Sequence, residues 1–189
     1  AADSFYFHYI LANKYDKELQ RTYDGCFDGM SAFSKEYDIP ICHTLSYISN
    51  SDEEGYKYLG YDDGTTAYMI AMEQDNKHRG CFPIFIPIAG ASNLGVYRYS
   101  NMNGLYTMGM YLENSQAPLS IIKCFDVILD EFFQLWILDK EIPKYKQYSL
   151  GSDGVKVSRS IMDDYFTFDE ILFQEAIEKE KEYYEKLNQ

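Results

Sequence analysis

The segment from Leu119 to Asp139 constrains this chain most. Ile121, Ile122, Phe125, Val127, Ile128, Leu129, Phe132, Phe133, Leu135, Trp136 and Leu138 recur so densely that only a narrow polar stripe remains, at Lys123, Asp126, Asp130 and Gln134. A helix apolar around most of its circumference belongs in a core, so this segment is expected to form one long buried helix lying across a sheet. At about 2 kcal/mol for each large apolar side chain buried, it would be the largest single contributor to stability. It is too short to span a bilayer, and no run of 18 apolar residues occurs elsewhere.

The sheet is expected upstream. Ile41–Ile48 is rich in β-branched and aromatic residues. Thr65–Met72 and Cys81–Ile88 read as a hairpin around Glu73–Gly80, with Pro83 and Pro87 marking an edge or bulged strand. Val96–Tyr99 and Leu105–Leu112 flank Asn103-Gly104, a strong hairpin turn because both residues tolerate positive φ. Before these, Phe7, Ile10, Leu11 and Leu19 fall near helical spacing. Asp24-Gly25 and Asp28-Gly29 then read as turns, followed by a short helix at Ser31–Tyr37. At the other end, Thr167 and Glu170 form a capping box, and Phe166 can staple onto Ile171. The expected fold is thus a single α+β domain over 1–189: a mostly antiparallel sheet of five or six strands under the long helix, with N- and C-terminal helices. The acidic C-terminal helix at 160–189 is expected to be peripheral.

Charge narrows the functional classes. With 30 Asp+Glu against 17 Lys+Arg, the formal charge is −13 and the pI near 4.6. Such a surface repels nucleic acid and anionic membranes and attracts basic partners. Residues 163–189 carry nine of the acids and three lysines. The 19 tyrosines and 12 phenylalanines exceed what one sheet core can bury with satisfied hydroxyls, so several are expected at the surface as contact material.

Reaction chemistry has little to stand on. Cys26 with His43 could form a thiolate–imidazole pair, but the neighbouring aspartates would raise the thiol pKa. His8, His43 and His78 lack metal-ligand spacing, and the pairs Asp62-Asp63 and Asp163-Asp164 sit where turns and helix starts are commoner than cation sites. Asp126 and Asp130 share a helix face, which suits a solvated stripe better than a catalytic pair. The stretch Ala89-Gly90-Ala91-Ser92-Asn93-Leu94-Gly95 lacks the lysine of a phosphate loop. Neither cofactor nor metal is expected. Cys26, Cys42, Cys81 and Cys124 are widely spaced, which fits free thiols in a reducing compartment.

Phe82-Pro83-Ile84-Phe85-Ile86-Pro87-Ile88-Ala89, then Gly95-Val96-Tyr97-Arg98-Tyr99, then Leu119 to Phe133 resemble, in that order, the SUKH superfamily of bacterial immunity proteins. The resemblance implies a cytoplasmic mixed α/β module that neutralises a toxin, often a nuclease, without catalytic residues. Together with the charge, the expected function is an acidic, non-enzymatic inhibitor or immunity protein for a basic partner. Its contacts would be Asp62, Asp63, Glu73, Asp75, Asp126 and Asp130, with Tyr97 and Tyr99 as aromatic anchors. The alternatives are a hydrolase using Cys26/His43 or a carboxylate pair, and a secreted or envelope binding protein whose signal peptide has been removed.

Overall fold

The computed structural model describes residues 5–51, 59–111, 117, 119–144, 146, 148, 150–158 and 170–187. Its centre is a six-stranded sheet in the order β2-β1-β3-β4-β5-β6. The strands are β1 (Phe5–Asn13), β2 (Ile41–Ser49), β3 (Phe82–Ile88), β4 (Tyr106–Tyr111), β5 (Leu119–Lys123) and β6 (Val155–Ser158). Every ladder from β2 through β5 is parallel, and β6 alone runs antiparallel, at the edge beside β5. The expected antiparallel architecture is therefore wrong. Parallel neighbours need crossovers, and helices supply those that join β1 through β4: α1 (Lys17–Tyr37), α2 (Gly64–Lys77) and α3 (Asn93–Asn103).

The segment expected to be the first helix is β1. Its residues face helices on both sides of the sheet, so the apolar run is nearly continuous and imitates a helical spacing. Tyr9 and Leu11 point to one face with Ile86 and Ile88, where α1 lies on them through Leu19, Tyr23, Cys26 and Met30. Ile10 and Phe85 point to the other face, against Ala67 and Ala71 of α2 and Val96 and Tyr99 of α3. That apolar stripe carries α1 straight through Gly25 and Gly29, so neither forms the expected turn.

Thr65–Met72 and Val96–Tyr99, expected as strands, lie in α2 and α3. The two helices touch closely: a Cβ on Gly95 would stand 1.9 Å from the carbonyl oxygen of Gly64. Asn103-Gly104 is not a hairpin turn: Asn103 is the last residue of α3, and Gly104 alone is left-handed, at φ 64°, where it caps the helix. Pro83 and Pro87 stand in a central strand, not an edge. Both are in register with β1, opposite Tyr6 and Ile10, while the ladder from β3 to β4 is confined to Ile84↔Tyr106 and Phe85↔Thr107 and includes neither proline.

The long apolar segment divides. Its first residues become β5, and Phe125–Ile137 form α4, in which no residue is buried. The anticipated core helix is instead an exposed one. A final helix, α5 (Glu170–Leu187), agrees with the expected C-terminal helix. Its capping box at Thr167, the staple at Phe166 and the pair Asp163-Asp164 lie outside the described residues.

Candidate functional site: the carboxyl edge of the parallel sheet

From β1 the chain crosses to β2 on one side and then returns to β3 on the other. The loops after β1 and β3 therefore diverge, and such a switch point leaves a crevice outside the carboxyl ends of the strands. Five polar residues meet there. Asn13 ends β1 fully buried; its Oδ1 accepts from the Tyr15 N–H at 2.8 Å, and its Nδ2 donates to the Ser51 carbonyl at 3.2 Å. The loops after β1 and β2 are thereby tied together. Asp16 caps α1, accepting the backbone N–H groups of Glu18 and Leu19 at 2.8 and 3.3 Å. Its other oxygen receives the Tyr61 hydroxyl at 2.6 Å.

Tyr61 links the three loops. Its carbonyl accepts the Ser92 N–H at 3.1 Å, and its ring lies over Gly90, where an added Cβ would come within 3.0 Å of Cδ1. Gly90 has φ 59° and Gly60 has φ 91°, and a Cβ on Gly60 would stand 2.0 Å from the Ala12 carbonyl oxygen. At these two positions the approach of the backbones admits glycine alone. Ser92, fully buried, donates to the Gly60 carbonyl and accepts the Asp63 N–H, each at 2.6 Å. Asn93 closes the set, accepting the Ala89 N–H at 2.8 Å.

A cleft of about 320 Å³ opens beside this network, lined by Ile48, Ser49, Leu59, Gly60, Asp62 and Asp63. Asp63 caps α2, and hydrogen bonds from Thr66 hold its carboxyl below the usual carboxylate range. The N-termini of α1, α2 and α3 all point to this edge. A second, larger groove of about 520 Å³ runs over the outside of the α2–α3 pair, between Leu94, Arg98 and Met102.

The expected contact residues are dispersed. Asp62 and Asp63 are exposed at the cleft. Glu73 and Asp75 lie toward the far end of α2, about 15 Å away at 1.5 Å per residue. Glu73 pairs with Lys77 at 2.6 Å, and Asp75 accepts the Tyr99 hydroxyl at 2.6 Å. Asp126 and Asp130 are exposed on α4, which follows β5, two strands beyond β3 in the sheet order. Tyr97 and Tyr99 are 4% and 5% exposed, which places them in the packing of α3. Tyr97 receives the Met110 N–H at 3.3 Å.

Cys26 and His43 share no hydrogen bond among the described residues. Burial pushes the Cys26 thiol pKa up, and the His43 ring lies 4.5 Å from that of Phe27. All four cysteines are free. Among the described residues no three His, Cys, Asp or Glu side chains converge on a possible metal position, and no helix is long and apolar enough to cross a membrane.

No family model matches the chain, and no curated protein does. Solved structures share its fold. An ABC transporter solute-binding protein from Aeropyrum pernix K1 superposes with TM-score 0.65 at 14% identity, over 81% of this chain and 40% of that one. A transcriptional activator of the comK gene from Bacillus halodurans gives 0.61 at 13% identity, over 92% and 54%. GanP, a glucose-galactose binding protein from Geobacillus stearothermophilus, gives 0.55 at 12% identity, over 84% and 54%. The chain thus spans about half the length of these proteins, and at such identities the likeness is one of fold.

Proposed function

We propose that this chain is a solute-recognition module that binds a small, hydroxyl-bearing, uncharged or cationic molecule at the carboxyl edge of its sheet. The observation that carries the reading is the convergence of three loops at the switch point, where Tyr61 ties Asp16 to Ser92 and the adjoining Asn13 and Asn93 brace their own loops. Fixed donors and acceptors on backbone-tied loops suit recognition. Asp16, Asp62 and Asp63 favour hydroxyls or ammonium groups over anions. The fold neighbours named for solute and glucose-galactose binding support the same class, and proteins of the periplasmic-binding kind close around their ligands by hinge motion.

Thermal denaturation in the presence of monosaccharides, nucleosides, amino acids and polyamines tests this. A ligand at a hundredfold excess over its Kd contributes about 2.7 kcal/mol, which corresponds to a rise of roughly 5–11 °C for a chain of this size. The effect should shrink in Asp16→Asn and Tyr61→Phe. A panel without any stabilising member, or a ligand indifferent to both substitutions, would end the proposal.

A second reading, docking of a basic protein in an inhibitor or immunity role, is favoured by the exposure of Asp62 and Asp63 on this edge. Changing both to Lys should then slow association with the basic partner and flatten its salt dependence.

A further inference from the structure

The amino ends of β1, β2 and β3 carry a second polar cluster, at the end of the sheet away from the loops that Tyr61 ties together. Side chains alternate along a strand, so Tyr6 and His8 share the face of Ile10, which α2 and α3 cover. His78, which caps the end of α2, comes down on the same spot. The three rings touch one another, with centroids 4.7 Å apart for Tyr6–His8, 3.9 Å for Tyr6–His78 and 5.1 Å for His8–His78.

Hydrogen bonding decides which nitrogen of each imidazole is left over. His78 Nδ1 lies 2.9 Å from the Gln74 carbonyl oxygen, so it donates there and the lone pair is on Nε2. His8 Nδ1 lies 2.7 Å from Thr44 Oγ1. Among the described residues neither Nε2 has a hydrogen-bond partner, and that of His8 is fully buried. Metal-ligating histidines are oriented in this way, through an Nδ1 hydrogen bond to a carbonyl or another oxygen. Strand side chains stand roughly perpendicular to the sheet, which aims the far end of the His8 ring at the α2 layer. An ion bonded to two imidazole nitrogens at about 2.0–2.1 Å with tetrahedral angles holds the ring centres about 5 Å apart, close to the 5.1 Å found here.

A further donor atom stands one turn back along α2. Gln74 turns toward the sheet, where its Nε2 donates to Ser46 Oγ at 3.1 Å, and its Oε1 is buried without a partner. Orphaned buried polar atoms are rare in folded proteins, and a bound ion or water is one cause of them. Tyr6 and His78 are half-buried, and Cys42, opposite Tyr6, is exposed, so the cluster reaches solvent.

We propose that His8 and His78 together bind a late first-row divalent cation through their Nε2 atoms, with water completing the coordination. Imidazole suits Zn²⁺, Ni²⁺ and Cu²⁺, and Cu²⁺ binds such nitrogen sites most tightly. The pair falls short of three protein ligands, so water fills the other positions, and Gln74 Oε1 accepts a hydrogen bond from it. The ion ties the end of α2 to β1. The two histidines are far apart in sequence and meet only through the fold, so their spacing disclosed nothing. This site is independent of whether a solute binds at the carboxyl edge.

The test is calorimetric titration of zinc sulfate, nickel chloride and copper chloride, each alone, into the chelator-treated full chain. A single ion per chain is expected, with Cu²⁺ tightest. His8→Gln and His78→Gln should each weaken binding about tenfold or more, since even the loss of a partner behind a ligand costs that much. His43→Gln should leave it unchanged. Cys42 and Cys81 lie near Tyr6 and can capture such ions themselves, so the titrations are repeated with both changed to Ser, where binding should persist. Electron spin resonance of Cu²⁺ in that protein should show coupling to two imidazole nitrogens. Should His8→Gln disturb folding by circular dichroism, His78→Gln, at the half-buried end of α2, carries the comparison. No saturable binding of any of the three ions, binding lost with the two cysteines, or binding indifferent to His78→Gln would each overturn the proposal.

Discussion

Replacing Gly25 and Gly29 with alanine should stabilise this protein, and replacing Gly95 should do the reverse. All three lie inside helices, so the intrinsic gain from alanine is the same, about 1 kcal/mol each. The surroundings decide the sign. A Cβ on Gly25 or Gly29 meets no atom within 4 Å, and both sites are exposed on α1. Together they should contribute about 2 kcal/mol and raise the melting midpoint by roughly 4–8 °C. At Gly95 the new carbon would stand 1.9 Å from a backbone oxygen of Gly64, which no side-chain rotation relieves. The α2–α3 crossing must open by about 1 Å or more, loosening Ala67, Ala71, Val96 and Tyr99 on the sheet. Overpacking of this kind costs about 1–3 kcal/mol beyond any propensity gain. Urea titrations of the three proteins supply the comparison. Should Gly95→Ala raise the midpoint as Gly25→Ala does, the helices do not cross in contact. Should the α1 substitutions lower it, α1 is broken where the sequence first suggested turns.

His8 is fully buried, with Nδ1 on Thr44 Oγ1 at 2.7 Å and Nε2 without a hydrogen-bond partner, and burial, aided by the nearby His78, lowers its pKa from 6.5 to about 4. The unfolded chain therefore takes up a proton that the folded one refuses between those values. Stability present above pH 6.5 should fall by roughly 3 kcal/mol as the pH drops to 4, a slope that His8→Gln removes in denaturation across that range. Ser92→Ala leaves the Gly60 carbonyl and the Asp63 N–H to find other partners and should cost about 1–3 kcal/mol, read from chemical denaturation. Asp16→Ala removes the α1 cap and the Tyr61 bond together and should cost about 1–2 kcal/mol, while a double-mutant cycle of Asp16→Asn with Tyr61→Phe should show coupling of about 1 kcal/mol.

What the sequence discloses depends on whether one face or two faces of an element are buried. Ile41–Ser49, on the outside of the sheet, keeps a strand composition and is read correctly. Phe5–Asn13 is buried on both faces, loses its alternation, and is mistaken for a helix. The error at Thr65–Met72 has the opposite origin. There, Ala67 and Ala71 mark the contact face of α2 by small size, which a search for large apolar residues passes over. Two wrong elements turned crossover helices into strands, and with them a parallel sheet into an antiparallel one. The site was lost by the same route. Ala89-Gly90-Ala91-Ser92-Asn93-Leu94-Gly95 invites comparison with a phosphate loop, whereas its small residues, between a strand and a helix, mark a close approach of backbones at a switch point. Asn13 and Asp16 carried the matching signal, a polar pair at the end of an apolar run, but a strand had first to be recognised there.

The tight loops at the sheet edge and the exposed apolar side chains of α4 follow from one topological fact. Lys123 pairs with Val155, and the Cys124 N–H bonds the Gly154 carbonyl at 2.9 Å, so α4 belongs to an excursion that leaves β5 and returns to β6 at the carboxyl edge. Loops on the β2-β1-β3 side of that edge connect to helices packed on the sheet, and they are held by Tyr61 and Ser92. The excursion beyond β5 leads to α4, in which no residue is buried although it is the most apolar of the described helices. Apolar composition thus identifies what a segment must eventually cover, and the connection decides whether this chain can supply the cover itself. For α4 the described residues do not, since β6 returns along the sheet edge and no residue of the helix is buried.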